Sequence, residues 1–221
     1  MHWTLPNILT VGRLIAAPAV ALVFALLPRP LADWVALALF IGASLTDFLD
    51  GYLARKWNQT SKFGAMLDPI ADKAMVVTAL ALLIALSGLD PLVMIPTALI
   101  LFREVFVSGL REFLGADAGK LAVTKLAKWK TTAQMVAIAV LLTAIAFEAT
   151  HLMAFQTMTR EAYQAALDAG PTDGNMVWRS GEWGVGLGIA GLALLWVAAV
   201  LTLITGADYF KKSLPFLREE T

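Results

Sequence analysis

An all-α integral membrane protein with six transmembrane helices is the fold this sequence predicts, and three observations predict it. The 221 residues are 59% hydrophobic and only 15% charged, where a soluble domain carries about 25% charged residues. Mean hydropathy is +0.73. The apolar residues also gather into six runs, each long enough to cross about 30 Å of hydrocarbon as a helix. We read these runs as one domain over residues 1–221. The formal charge is zero, so no bulk field attracts nucleic acid. Cysteine is absent, which excludes disulfides, thiol catalysis and cysteine metal sites. His2 and His151 are too far apart in sequence to suggest a ligand pair. The N-terminus lacks a basic n-region and cleavage site, so the first run is expected to be a retained span.

The opening segment carries Trp3, a residue that favours the membrane interface, and Asn7 can cap the helix after it. Leu9–Leu27 is the first expected span. Arg13 lies about a turn inside it, where a long cation either snorkels to the interface or serves a site. Pro28, Arg29 and Pro30 turn the chain into the second span, Leu31–Lys56. A polar loop leads to the third, from about Ala65 to Ser87, with Pro69 expected in its first turn. Leu92–Leu114 and Lys125–Ala149 are the fourth and fifth. His151–Glu182 is the long polar segment, within which Thr159 can cap a short helix that stops at Gly170-Pro171. Trp183–Thr205 is the sixth span, with Gly184, Gly186, Gly188 and Gly191 allowing close helix packing. Phe210–Thr221 is read as a charged tail.

Six spans place both termini on one side. That side holds Arg55, Lys56, Lys62, Arg111, Lys120, Lys125, Lys128, Lys130, Lys211, Lys212 and Arg218, against Arg29, Arg160 and Arg179 opposite. The positive-inside rule makes it the cytoplasm.

The stretch from Asp47 to Asp72 carries the chemistry. Asp47 and Asp50 are spaced i, i+3, and Asp68 and Asp72 are spaced i, i+4, so each pair shares a helix face. The two pairs meet at adjacent helix ends on one membrane boundary. Unpaired buried carboxylates are costly, and a divalent cation on hard oxygen ligands accounts for all four; the alternative is a salt-bridged pair of helix ends, for which only Arg55, Lys56, Lys62 and Lys73 are close in sequence. Gly51 permits close backbone approach and Arg55 offers a bidentate phosphate donor. These residue types together suggest metal-assisted phosphate chemistry. Deeper along the chain, Arg103, Arg111, Lys128 and Lys130 gather on the cytoplasmic halves of the fourth and fifth spans. Arg103 lies about 12 Å deeper than Arg111 at ~1.5 Å per residue, and it either pairs with Glu104 or lines a cavity. Such donors suit an acceptor that carries its own phosphate.

The order Asp47-x2-Asp50-Gly51-x2-Ala54-Arg55-x8-Gly64-x3-Asp68-x3-Asp72 resembles the signature of the CDP-alcohol phosphotransferase family, with every signature position filled. The resemblance implies that family's fold and two Mg²⁺ or Mn²⁺ ions. It places Asp47 and Asp68 between both ions, Asp50 on the first and Asp72 on the second, with Asp72 as general base. It sets Gly51, Ala54, Arg55 and Ser61 against the cytidine diphosphate of a CDP-diacylglycerol, although Ser61 could equally be a helix cap. Thr10-x2-Arg13 resembles a nucleotide-contacting element of the same family. Four stretches, LPNILT from Leu5, RKWNQ from Arg55, REVFVSGLREF from Arg103 and KWKTTAQ from Lys128, are similar to the bacterial phosphatidylglycerophosphate-forming branch. That similarity implies sn-glycerol 3-phosphate as acceptor, bound by Arg103, Arg111, Lys128 and Lys130. It also implies membrane lipids as surroundings, a bacterial inner membrane with the site facing the cytoplasm, and a homodimer. Inositol phosphate, serine or phosphatidylglycerol are the alternative acceptors. A cation transporter would use the same carboxylates, but the outer halves of the second, third and fifth spans are almost wholly apolar. A structural scaffold would leave the four aspartates unexplained.

Overall fold

The computed structural model describes residues 4–57, 61–115, 125–172 and 174–217; the side chains at 48, 50–55, 125, 127, 128 and 217 fall outside that description. The described chain is all-helical: α1 (Leu5–Leu26), α2 (Leu31–Lys56), α3 (Lys62–Leu86), α4 (Pro91–Leu114), α5 (Lys125–Thr157), α6 (Arg160–Asp168) and α7 (Met176–Leu217). Among the described residues, five helices are long and apolar enough to cross a membrane: α1, α3, α4, most of α5, and α7. A multi-pass membrane protein follows.

Several boundaries differ from the sequence expectation. α1 begins a turn earlier than Leu9, with Thr4 at the cap and Pro6 in the first turn. Asn7 therefore lies inside the helix and accepts a hydrogen bond from the Ser61 hydroxyl (2.7 Å) instead of capping. α3 begins at Lys62, so Pro69 sits within the helix rather than in its first turn. It gives up the backbone bond to the Ala65 carbonyl. α5 extends two turns beyond Ala149, and α7 runs from Met176 to Leu217, absorbing most of the expected tail. The short helix appears where expected, with the Thr159 side chain accepting from the Ala162 amide.

In lipid, apolar surface gains little from leaving one apolar medium for another, so close shape matching has to hold helices together. The core shows this. Ala17, Ala36, Ala79, Ala137, Ala198 and Ala199 are fully or almost fully buried and let backbones approach around Phe40, Met75, Leu80, Ile100, Ile138 and Leu195. α5 packs along α7, α1 lies against α2 and α3, and α4 lies against α7. At Gly191 an added Cβ would lie 2.8 Å from the Leu141 side chain and 3.1 Å from its backbone nitrogen. At Gly184 it would meet the backbone of Glu148 and Ala144. These two glycines serve packing within the chain. Large apolar residues such as Ile15, Leu26, Phe102, Val105, Val185 and Ile189 stay exposed on the outside, as a lipid-facing surface requires.

The polar segment after α5 is a folded clasp. A carbonyl can only accept, so His151 Nδ1 donates to the Val177 carbonyl (3.0 Å). Its Nε2 then accepts from the Tyr163 hydroxyl (2.9 Å). α6 is thereby tied to the end of α5 and the start of α7. Asn175 closes the turn, its amide donating to the carbonyls of Ala166 (2.6 Å) and Gly170 (2.8 Å).

Candidate active site

The site residues lie at one end of the bundle, where α1, α3 and α5 begin and α2, α4 and α7 end. Arg13 is its centre. The side chain is 2% exposed, and Nη1 is paired with both Asp47 Oδ1 and Asp72 Oδ1. Nη2 lies 3.7 Å from Asp68 Oδ1. Arg13 therefore does not snorkel; it joins the end of α2 to the start of α3. Thr10, one turn earlier, donates to Asp68 Oδ1 at 2.8 Å. The expected element Thr10-x2-Arg13 thus holds the aspartates. The three carboxylates remain about half exposed, so water and further ligands reach them.

Ser61 is the N-cap of α3. Its Oγ accepts from the Gly64 amide at 2.9 Å while its hydroxyl donates to Asn7. A Cβ at Gly64 would lie 2.9 Å from Asn7 Oδ1 and 3.3 Å from Ser61 Oγ. The glycine of the sequence pattern is therefore where α1 and α3 come closest. The side chains of Asp50, Gly51, Ala54, Arg55 and Lys128 lie outside the described residues, and so do residues 58–60 of the polar loop and 116–124. Among the described residues, no three acidic or histidine side chains are arranged to hold a metal ion. Asp47, Asp68 and Asp72 nevertheless converge on one cationic group, and all supply hard oxygen donors. That chemistry fits a hard divalent cation.

A second cluster stands beside the first. Glu104 Oε1 is shared by Lys130 Nζ and Arg103 Nη1, the latter at 3.3 Å. The side chains are 15% (Glu104), 15% (Arg103) and 6% (Lys130) exposed. Lys73 donates to the Ser108 hydroxyl, which donates to the Glu104 carbonyl at 2.5 Å. Arg103 is seated by α7: a Cβ at Gly206 would come within 2.9 Å of Arg103 Cγ. Among the described residues, Arg103 Nε and Gln134 Oε1 are buried here without a hydrogen-bond partner.

The structure thus brings Arg103 and Lys130 together, as the sequence predicts. Arg111 is exposed and turns to α7, where its Nε donates to the Tyr209 hydroxyl at 3.3 Å and its guanidinium lies 5.4 Å from that ring centroid. Of the two roles open to Arg103 in the sequence, the structure shows the pair with Glu104; Lys73, Ser108 and the contact of Lys130 with the same carboxylate are not evident in the sequence. The signal for Ser108 is its place one turn after Glu104 on α4, and that for Lys73 its place next to Asp72. Nothing local signals that Glu104 meets Lys130.

Residues 3–162 match the family model described as CDP-alcohol phosphatidyltransferase. The chain belongs to that family. It is 60% identical to the CDP-diacylglycerol–glycerol-3-phosphate 3-phosphatidyltransferase of Cereibacter sphaeroides, over 100% of both chains. Proteins of the same name are 40% identical in Rickettsia bellii (94% of this chain, 93% of the relative) and 37% identical in Escherichia coli (95% and 94%).

Proposed function

We propose that this protein transfers the phosphatidyl group of CDP-diacylglycerol to sn-glycerol 3-phosphate, releasing CMP and forming phosphatidylglycerol phosphate. The names of its full-length relatives support this reading. One geometric observation carries it. Asp72 and Lys73 are neighbours on α3; Asp72 faces the carboxylates gathered on Arg13, and Lys73 reaches Ser108 of the cationic cluster. A reaction between an activated phosphate and an acceptor bearing a second phosphate needs such adjacency.

In this reading the acceptor phosphate binds Arg103 and Lys130. Its free hydroxyl attacks the phosphorus bearing the diacylglycerol. The new oxygen–phosphorus bond forms, the bond to CMP breaks with its electron pair leaving on CMP, and the hydroxyl proton passes to Asp72. Gly51, Ala54, Arg55 and Ser61 hold the cytidine diphosphate, with Thr10 and Arg13 at its edge. Asp47, Asp50, Asp68 and Asp72 would hold two Mg²⁺ or Mn²⁺ ions, which supply charge neutralisation at the attacked phosphate. Lys128 and Arg111 extend the acceptor site. Residues 1–221 form one domain, with α2 as the sixth span and residues 151–182 on the outer side. Both termini and the site face the cytoplasm at a bacterial inner membrane, so the lipid keeps its chains in the bilayer. The functional unit is a homodimer.

CMP release by the purified protein tests the reading, with CDP-diacylglycerol, a divalent cation and glycerol 3-phosphate, inositol phosphate, inositol or serine in turn. Stimulation by glycerol 3-phosphate alone is expected. Stimulation by another alcohol would move the acceptor assignment, and no release with any acceptor would overturn the reaction. Arg103→Ala is expected to raise the glycerol 3-phosphate KM about 30-fold, an effect of ~2 kcal/mol, with the CDP-diacylglycerol KM nearly unchanged. Equal effects on both would remove Arg103 from the acceptor site.

A further inference from the structure

The cationic cluster contains a carboxylate that phosphate binding alone does not require. Arg103, Lys130 and Lys73 bring three positive charges around the single negative charge of Glu104. Two of the cations meet on one oxygen, Oε1, and the third is linked through Ser108 to the Glu104 backbone. An oxygen that gathers a guanidinium and an ammonium is what a phosphate monoester would also present. Lys130 and Arg103 are largely sheltered from water, so without an anion they would repel one another strongly. Arg103 cannot relax toward α7, because its stem already fills the space left by Gly206.

We propose that Glu104 is a positioning residue of the acceptor site: it occupies the donors of Arg103 and Lys130 in the empty protein and yields them to the incoming phosphate. This rests on the acceptor assignment above. Glu104 is a flexible side chain on the same helix as Arg103, so a rotamer change releases both cations without moving a helix. The exchange lowers affinity, since phosphate must displace a resident anion. It also sharpens selection. A neutral alcohol offers nothing to replace the carboxylate, whereas a phosphate dianion replaces it with the same geometry and more charge. The net charge of the cluster with Glu104 in place is two positive, which a dianion neutralises.

The test uses the full-length protein in detergent, CMP release as readout and inorganic phosphate as competitor against glycerol 3-phosphate. If Glu104 occupies the donors most of the time, freeing them raises phosphate affinity by the inverse of the free fraction. Glu104→Gln is therefore expected to lower the phosphate inhibition constant about tenfold, with the CDP-diacylglycerol KM unchanged. Its melting temperature without phosphate should fall, and phosphate should raise it by more than in the parent protein. A purely structural glutamate would lower the melting temperature and leave phosphate inhibition unchanged or weaker, which overturns the proposal. Should the glutamine variant not fold, Glu104→Asp keeps the charge but sits one methylene short of gathering both cations. It too should bind phosphate more tightly, and parental inhibition there also overturns the proposal. Arg103→Ala separates the two readings. Undiminished phosphate inhibition in that variant sinks the acceptor site itself; its loss, with a parental inhibition constant in Glu104→Gln, sinks only the role of Glu104.

Discussion

Asp72→Asn is expected to cut CMP release by about three orders of magnitude, the scale on which a positioned base contributes, while leaving a folded protein that still binds CDP-diacylglycerol. The substitution keeps the size of the side chain and an oxygen that can accept from Arg13. It removes the charge and the site for the departing proton. The Asp72 side chain is about half exposed (49%), and Arg13 keeps its contacts with Asp47 and Asp68, so the fold should lose little. CMP release, lipid-substrate binding and the melting temperature should be measured on one preparation. Activity that falls only as far as folded protein falls would make this aspartate structural.

Arg13→Ala should have the largest effect on stability. Arg13 is the buried cation to which Asp47, Asp68 and Asp72 turn. Removing it leaves three carboxylates facing one another and opens space between α1, α2 and α3. The carboxylates are half in water, which offsets part of the repulsion. A loss of roughly 2–4 kcal/mol follows from breaking such a centre. In a chain of this size that corresponds to about 5–15 °C in melting temperature. Mg²⁺ or Mn²⁺ should restore more of the melting temperature in the variant than it adds to the parent, because the ion replaces the missing charge. A variant as stable as the parent would show that the guanidinium does not hold these helix ends. One that the ions cannot rescue would count against the carboxylates as their ligands.

The aspartates were legible in the sequence because their information is local. Charged residues at helical spacing between apolar runs are costly and rare, and their order is distinctive. The target of Arg13 was not local. From the sequence it was a cation near a helix end, and only the packing of α1 between α2 and α3 shows that water is further from it than three carboxylates. Glu104 was hidden for a similar reason. It was seen beside Arg103 in sequence, but its stronger partner, Lys130, comes from another helix. Helix ends were misjudged where hydropathy stops but helix does not. α5 and α7 continue as polar or amphipathic turns beyond their apolar runs, and α7 runs through Gly181, Gly206 and Pro215 without ending. Ser61 shows the opposite limit. Its capping role was readable from its place before a helix, and the structure realises it.

The length of α7 bears on how the chain tolerates change. At ~1.5 Å per residue its 42 residues make a rod of about 63 Å, longer than the ~40–45 Å of a whole bilayer. One end carries Val177, which receives the histidine of the clasp; near the other lie Gly206 and Tyr209, against Arg103 and Arg111. Because the rod is continuous, its halves share one angular register. A single inserted residue between Gly191 and Gly206 would turn everything below it by about 100°, swinging the smooth patch at Gly206 away from Arg103 while the seam with Leu141 stayed in place. An insertion in the turn between α6 and α7 would be absorbed before the rod begins. Length variation among related chains should therefore collect outside α7 and be nearly absent from its middle.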